Sequence, residues 1–201
     1  MYVMMSHARF EEEAEAEAAR LRPFNKLPSL DTASILLVEY EEHFQQSLAE
    51  ALVEMANITL NVRLSKNLPL PALNDESRPR IDLVVIIINL TSELSFHSAE
   101  ASLKYLDPGY FLGKVCFMVT NARNVSVPTE RLDAVRKLAA SLHSPLLFAE
   151  CMTPDGVSTA ADRLWTILKA AAGLVPMTTS LYLSNLTRCT WPPDMDQPSF
   201  D

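Results

Sequence analysis

The residues best placed to do chemistry lie in the stretch 39–46 (EYEEHFQQ), directly after an apolar run ending in Val38. The turn between a buried strand and a helix is where backbone amides gather around a phosphate. A phosphate loop there needs two glycines, a lysine and a hydroxyl in the pattern G-x-x-x-x-G-K-[ST]. Here Glu39 and Phe44 stand at the glycine positions, Gln45 at the lysine position and Gln46 at the hydroxyl position. Glu39, Glu41 and Glu42 also bring carboxylates to the helix start, which suits the helix dipole but repels a phosphate by about 1 kcal/mol or more per close charge pair. The expectation is an acidic, solvent-exposed helix start that takes no phosphate. The first glycine in the chain is Gly109, so no magnesium-binding D-x-x-G precedes it and no switch segment of that kind can read a γ-phosphate. Where a guanine-reading N-K-x-D would follow the apolar run 115–119 (VCFMV), the chain has Asn121-Ala122-Arg123-Asn124. An amide replaces the carboxylate that would pair with the base edge, and Asn121 alone reads as a turn former.

Other catalytic patterns fare no better. There is no G-x-S-x-G elbow and no H-E-x-x-H, and His7, His43, His97 and His143 are scattered. Cys116, Cys151 and Cys189 are odd in number and widely spaced, which fits reduced thiols and offers no zinc spacing. Cys116 falls inside an apolar run, and no activating base accompanies the other two. The reading is a non-enzyme with no catalytic residue, cofactor or metal. Its rivals are a nucleotide-binding enzyme with an unorthodox pocket and a thiol enzyme with a low-pKa cysteine.

The elements that would position such a site follow from periodicity. The chain has 201 residues, of which 48% are hydrophobic and 21% charged, enough for one well-buried α/β core with tails. A net charge of −8 argues against a broad phosphate-backbone footprint, so no direct nucleic acid partner is expected. The most apolar run, 83–88, is far below the roughly 20 residues of a membrane span. The acidic N-terminal stretch lacks the marks of a signal or transit peptide. Ile35 to Val38 reads as a buried strand, His43 to Ala56 as a helix, and Ile58 to Leu64 as a half-exposed or edge strand. A proline loop over 68–79 leads into a central strand, Leu83 to Leu90, and a helix around Ser98 to Leu106 ends at Asp107-Pro108-Gly109. Val115 to Val119 is the next buried strand, Pro128 to Leu142 a helix, Leu146 to Ala149 a short buried strand, and Ser158 to Leu174 the closing helix. Strands alternating with helices predict a mostly parallel sheet with helices on both faces. Residues 1–20 read as an acidic extension, disordered or loosely helical, 21–176 as the α/β domain, and 177–201 as a segment partly docked and then disordered.

Two apolar features exceed what a core needs. Tyr110, Phe111 and Leu112 sit between Gly109 and Gly113, in what reads as a surface loop, and Leu181 follows the last helix with Tyr182, Leu183 and Leu186. Tyr110, Phe111, Leu112 and Leu181 are therefore the candidate partner-binding residues.

The order of these residues resembles the centromere protein M family, vertebrate kinetochore subunits shaped like a small GTPase. The likeness runs from about Leu21 to about Leu186 through R-P-F-N-K-L-P, T-A-S-I-L-L-V, S-K-N-L-P-L-P, R-P-R-I-D-L-V-V, Y-F-L-G-K-V-C-F and S-P-L-L-F. It implies a Ras-like small-GTPase fold that neither binds nor hydrolyses nucleotide. It also implies assembly with centromere proteins I, H and K in the nucleus, at the kinetochore of centromeric chromatin. Residues 1 to about 20 fall outside it. Between the first helix and the central strand the chain has one clear strand and a proline loop, where the switch proteins have two strands and a mobile helix.

Overall fold

The computed structural model describes residues 20–23, 31–70, 80–176 and 178–179. Its strands are β1 (Thr32–Glu39), β2 (Thr59–Ser65), β3 (Leu83–Asn89), β4 (Val115–Thr120) and β5 (Leu146–Ala149); its helices are α1 (Gln45–Met55), α2 (Glu93–Leu103), α3 (Thr129–Ser141) and α4 (Pro154–Ala171). All neighbouring strands pair in parallel, in the order β2-β1-β3-β4-β5. This is a doubly wound sheet, consistent with a Ras-like fold.

The three central strands are apolar through their middles, with polar residues mainly at their ends, because both of their faces are covered. Alternate residues divide between two cores. Ile35, Leu37, Val85, Ile87 and Met118 meet Leu48 and Leu52 of α1 and Leu164 and Leu168 of α4. Leu36, Val84, Ile86, Ile88 and Phe117 face the opposite layer, with Ala99 of α2 and Val135 and Ala139 of α3. Each fully buried Leu or Ile contributes about 1.5–3 kcal/mol relative to exposure. The strand order reverses between β1 and β3, and the crevice outside their C-terminal ends is where such sheets bind ligands.

Three sequence expectations shift. Helix α2 begins at Glu93, not near Ser98, with the Ser92 hydroxyl accepting a bond from the Ser95 amide at 3.3 Å. Its buried face carries Ser95, Ala99 and Ser102, too small to register as a hydrophobic stripe. Helix α4 starts at Pro154, capped by Thr153, whose hydroxyl accepts from the Gly156 amide at 3.1 Å. Strand β5 forms where expected but lies at the sheet edge, with Phe148 exposed; a short apolar run cannot announce whether it has one neighbour or two. No helix among the described residues is long and apolar enough to cross a membrane. The terminal segments 1–19 and 180–201 lie outside the described residues.

Candidate functional site

At the strand-order reversal the chain's own side chains bond to one another and to the start of α1. Glu39, the last residue of β1, is only 2% exposed, and its Oε2 accepts from the backbone amides of Phe44 at 2.9 Å and Gln45 at 2.8 Å. These amides open α1, whose cap residue Phe44 makes no side-chain capping bond of its own. A carboxylate from the strand end therefore does the capping that Ser or Asp normally does from the cap position. This corrects the expectation of a solvent-exposed acidic helix start: Glu39 is buried, because the helix amides it satisfies lie inside the fold. Burial raises the Glu39 carboxyl above its usual range, the two amide bonds and His43 pull it back, and Glu41 adds to the rise.

The turn from β1 to α1 bends through Glu42 at φ +58°, a left-handed conformation uncommon outside glycine. Phe44, at the second glycine position of a phosphate loop, is buried with Leu48 and Leu52 in the core beneath α1. Gln45, at the lysine position, is buried too, and its Oε1 has no hydrogen-bond partner.

From Glu41 a line of polar contacts crosses the ends of the other strands. Asn89, closing β3, donates from Nδ2 to Glu41 Oε2 at 2.5 Å. Its Oδ1 accepts from Asn121 Nδ2 at 2.9 Å and from the Thr91 hydroxyl at 2.8 Å. Asn121, at φ +58° just past β4, accepts from the Cys151 thiol at 3.6 Å. Most of the polar groups along this line thus bond to one another, while Gln45 Oε1 stays unsatisfied. Desolvation first, then Glu150 and Glu39, hold the Cys151 thiol above the ordinary value, the direction opposite to activation. Burial pushes the Cys116 thiol up to about 12. Among the described residues, no group of three or more His, Cys, Asp or Glu is arranged to hold a metal ion. Sequence reasoning weighed Cys151 only as a nucleophile and missed Asn89, whose one available signal was its position at the end of the apolar run 83–88.

The candidate contact residues separate. Tyr110 is fully buried, which corrects the reading of 110–112 as an exposed loop. The segment Pro108–Phe111 is a 3-10 turn, capped by Asp107, that rolls the Tyr110 ring into the core beside α2 and α3. The Tyr110 hydroxyl donates to the Ile81 carbonyl at 3.4 Å, and burial raises its pKa further from the neutral range. Phe111 is half-buried against the same core, and Leu112 is 46% exposed. Leu181 lies outside the described residues.

A family model described as Centromere protein M (CENP-M) matches residues 18–190. The chain belongs to that family. It is 55% identical over 181 residues to Centromere protein M of Danio rerio, covering 89% of this chain and 97% of the relative. Centromere protein M of Xenopus laevis is 42% identical over 173 residues, with coverages of 86% and 96%. The Homo sapiens protein of the same name is 41% identical over 177 residues, with coverages of 88% and 97%. The family match begins after most of the acidic N-terminal stretch, so the strand-order reversal lies wholly within the shared region and the run 11–17 lies outside it.

Proposed function

We propose that the chain is a non-catalytic centromere and kinetochore subunit, a GTPase-shaped domain that binds no nucleotide and stabilises a larger complex through protein–protein contacts. Family membership supports the nuclear, centromeric setting. The observation that carries the rest is the Glu39 carboxylate on the Phe44 and Gln45 amides. A helix N-terminus in this position is a ready anion site, and here a covalently attached anion already occupies it. Centromere proteins I, H and K are the partners that the family resemblance implies. Leu112, with its exposed side chain, half-buried Phe111 and Leu181 are the contact residues proposed for them.

Isothermal titration of the full chain with GTP, GDP and ATP in magnesium should show no heat of binding at micromolar concentrations; a micromolar dissociation constant for any of them would favour a nucleotide-binding enzyme with an unorthodox pocket. For the assembly role, Leu112→Ala combined with Leu181→Glu should abolish co-purification with centromere protein I while the circular dichroism spectrum and melting curve stay unchanged. Undiminished co-purification removes both residues from the interface.

A further inference from the structure

A groove lies at the opposite edge of the domain from β2. Along β5 the sheet ends in a trough of about 600 Å³ between α3 and α4. Arg136 from α3, Arg163 from α4 and Arg123 from the turn after β4 line it, together with the exposed ring of Phe148; Glu150 and Asp155 are the acidic residues of its lining. Three guanidinium groups thus meet two carboxylates in one groove, on a chain whose net charge is −8. Arg136 has one ion-pair partner, Asp133, at 3.7 Å with both side chains more than half exposed, a contact of the kind that contributes little. Arg123 and Arg163 form no ion pair among the described residues.

The floor of the trough is an unfinished sheet. The Phe117 amide donates to the Pro145 carbonyl at 2.8 Å, and the parallel register runs Phe117 with Leu146 through Thr120 with Ala149. That ladder turns the polar backbone groups of Leu147 toward β4 and leaves those of Leu146 and Phe148 on the outer edge, where no described strand pairs with them. An exposed edge of this kind is a template for another strand. The short length of β5 and the flanking helices limit such an addition to a few residues.

We propose that the β5 trough receives a short extended segment of a partner protein, rich in glutamate or aspartate, which adds to the sheet as a sixth strand. The segment's backbone bonds to Leu146 and Phe148. Successive side chains of a strand point to opposite faces, so an alternating acidic and apolar sequence offers carboxylates to Arg163 on the α4 face and an apolar group to Phe148, which shares the α3 face with Leu146. Arginine suits this task because its planar fork pairs with a carboxylate through two parallel hydrogen bonds. Charge complementarity favours an acidic partner over a second copy of the chain's neutral edge. The surface is separate from Leu112 and does not depend on the assembly role argued for it.

The probe is a fluorescein-labelled synthetic dodecapeptide alternating glutamate with leucine and phenylalanine, titrated by anisotropy against the full chain, with a glutamine-for-glutamate peptide as control. Binding at low salt should weaken at least tenfold in Arg163→Glu and in Arg123→Glu, and the amides of Leu146 and Phe148 should gain protection in hydrogen exchange on binding. Phe148→Ala should weaken binding several-fold while the melting temperature stays within the spread of the arginine variants. Equal affinity for the glutamine peptide, protection confined to another strand, or no binding overturns the proposal. If deletion of residues 1–17 is needed before the probe binds, the acidic run of this chain is the occupant, and the partner assignment falls.

Discussion

The two ends of the sheet solve the same problem with opposite charges. In a parallel α/β fold, helix N-termini gather at the C-terminal ends of the strands and helix C-termini at the other. At the first end the Glu39 carboxylate receives the leading amides of α1. At the second, Lys114, only 4% exposed, donates from Nζ to the Ala171 carbonyl that closes α4, at 2.7 Å. Each terminus of a helix meets a side chain of the complementary sign, and each of these side chains is held away from its ordinary titration range by burial: Glu39 raised, Lys114 lowered. The ends differ in what surrounds the charge. Lys114 sits near the buried Asp82, which accepts from the Ser34 amide at 3.0 Å and pairs with Arg80 at 2.5 Å. Glu39 has no cationic side chain bonded to it, only amides. The Lys114 end is a compensated ionic cluster beside the Tyr110 ring; the Glu39 end is a buried carboxylate held by helix amides.

This contrast predicts that mutations at the Lys114 end cost more. Tyr110→Ala should be the most damaging, destabilising by about 4 kcal/mol through the cavity it leaves in the core; a urea midpoint close to that of the parent chain would return Tyr110 to the surface. Asp82→Ala comes next, at about 3 kcal/mol, because it removes the ion pair with Arg80, leaves the buried Ser34 amide unsatisfied and takes a negative charge from the neighbourhood of Lys114. If Asp82→Ala proves milder than Glu39→Ala, which should cost about 1–2 kcal/mol for the two uncapped amides, the ranking of the two ends is reversed and the comparison fails.

The smallest and most specific effect is a pH dependence. Because the folded-state pKa of Glu39 lies above its ordinary value of 4.5, the folded chain binds this proton more tightly than the unfolded chain. The stability from that proton is full below about 4.5 and is lost as pH rises through the higher folded value. Glu39→Gln cannot titrate, so its urea-derived stability should gain on that of the parent chain as pH is raised from 4.5 toward neutrality. A constant difference across that range would mean that the amide bonds outweigh desolvation.

The legibility of the molecule in its sequence follows the same division. Runs such as 83–88 declare themselves as central strands because burial on both faces admits nothing polar, and the loss of a phosphate-loop pattern is visible in Glu39, Phe44, Gln45 and Gln46. What the sequence concealed is direction. Nothing in EYEE says that the first carboxylate turns inward while Glu42 stays exposed, since both are compatible with a helix dipole. Tyr110 between two glycines looked like a loop aromatic because the 3-10 turn that inverts it depends on contacts with distant residues, among them Ile81. The first turn of α2 was missed because Ser95 buries its hydroxyl, accepting from the Asn89 amide at 3.0 Å; a search for large apolar residues passes over such a face.

The bond from Lys114 to Ala171 also has a bearing on association. It joins the strand start just beyond Leu112 to the end of α4, the point from which the chain runs on toward Leu181. The start of β4 and the end of α4, far apart in sequence, are therefore tied together by one hydrogen bond in the interior. A partner that contacts both of these ends meets a backbone whose ordering entropy was spent when the domain folded, so more of the contact energy remains as affinity.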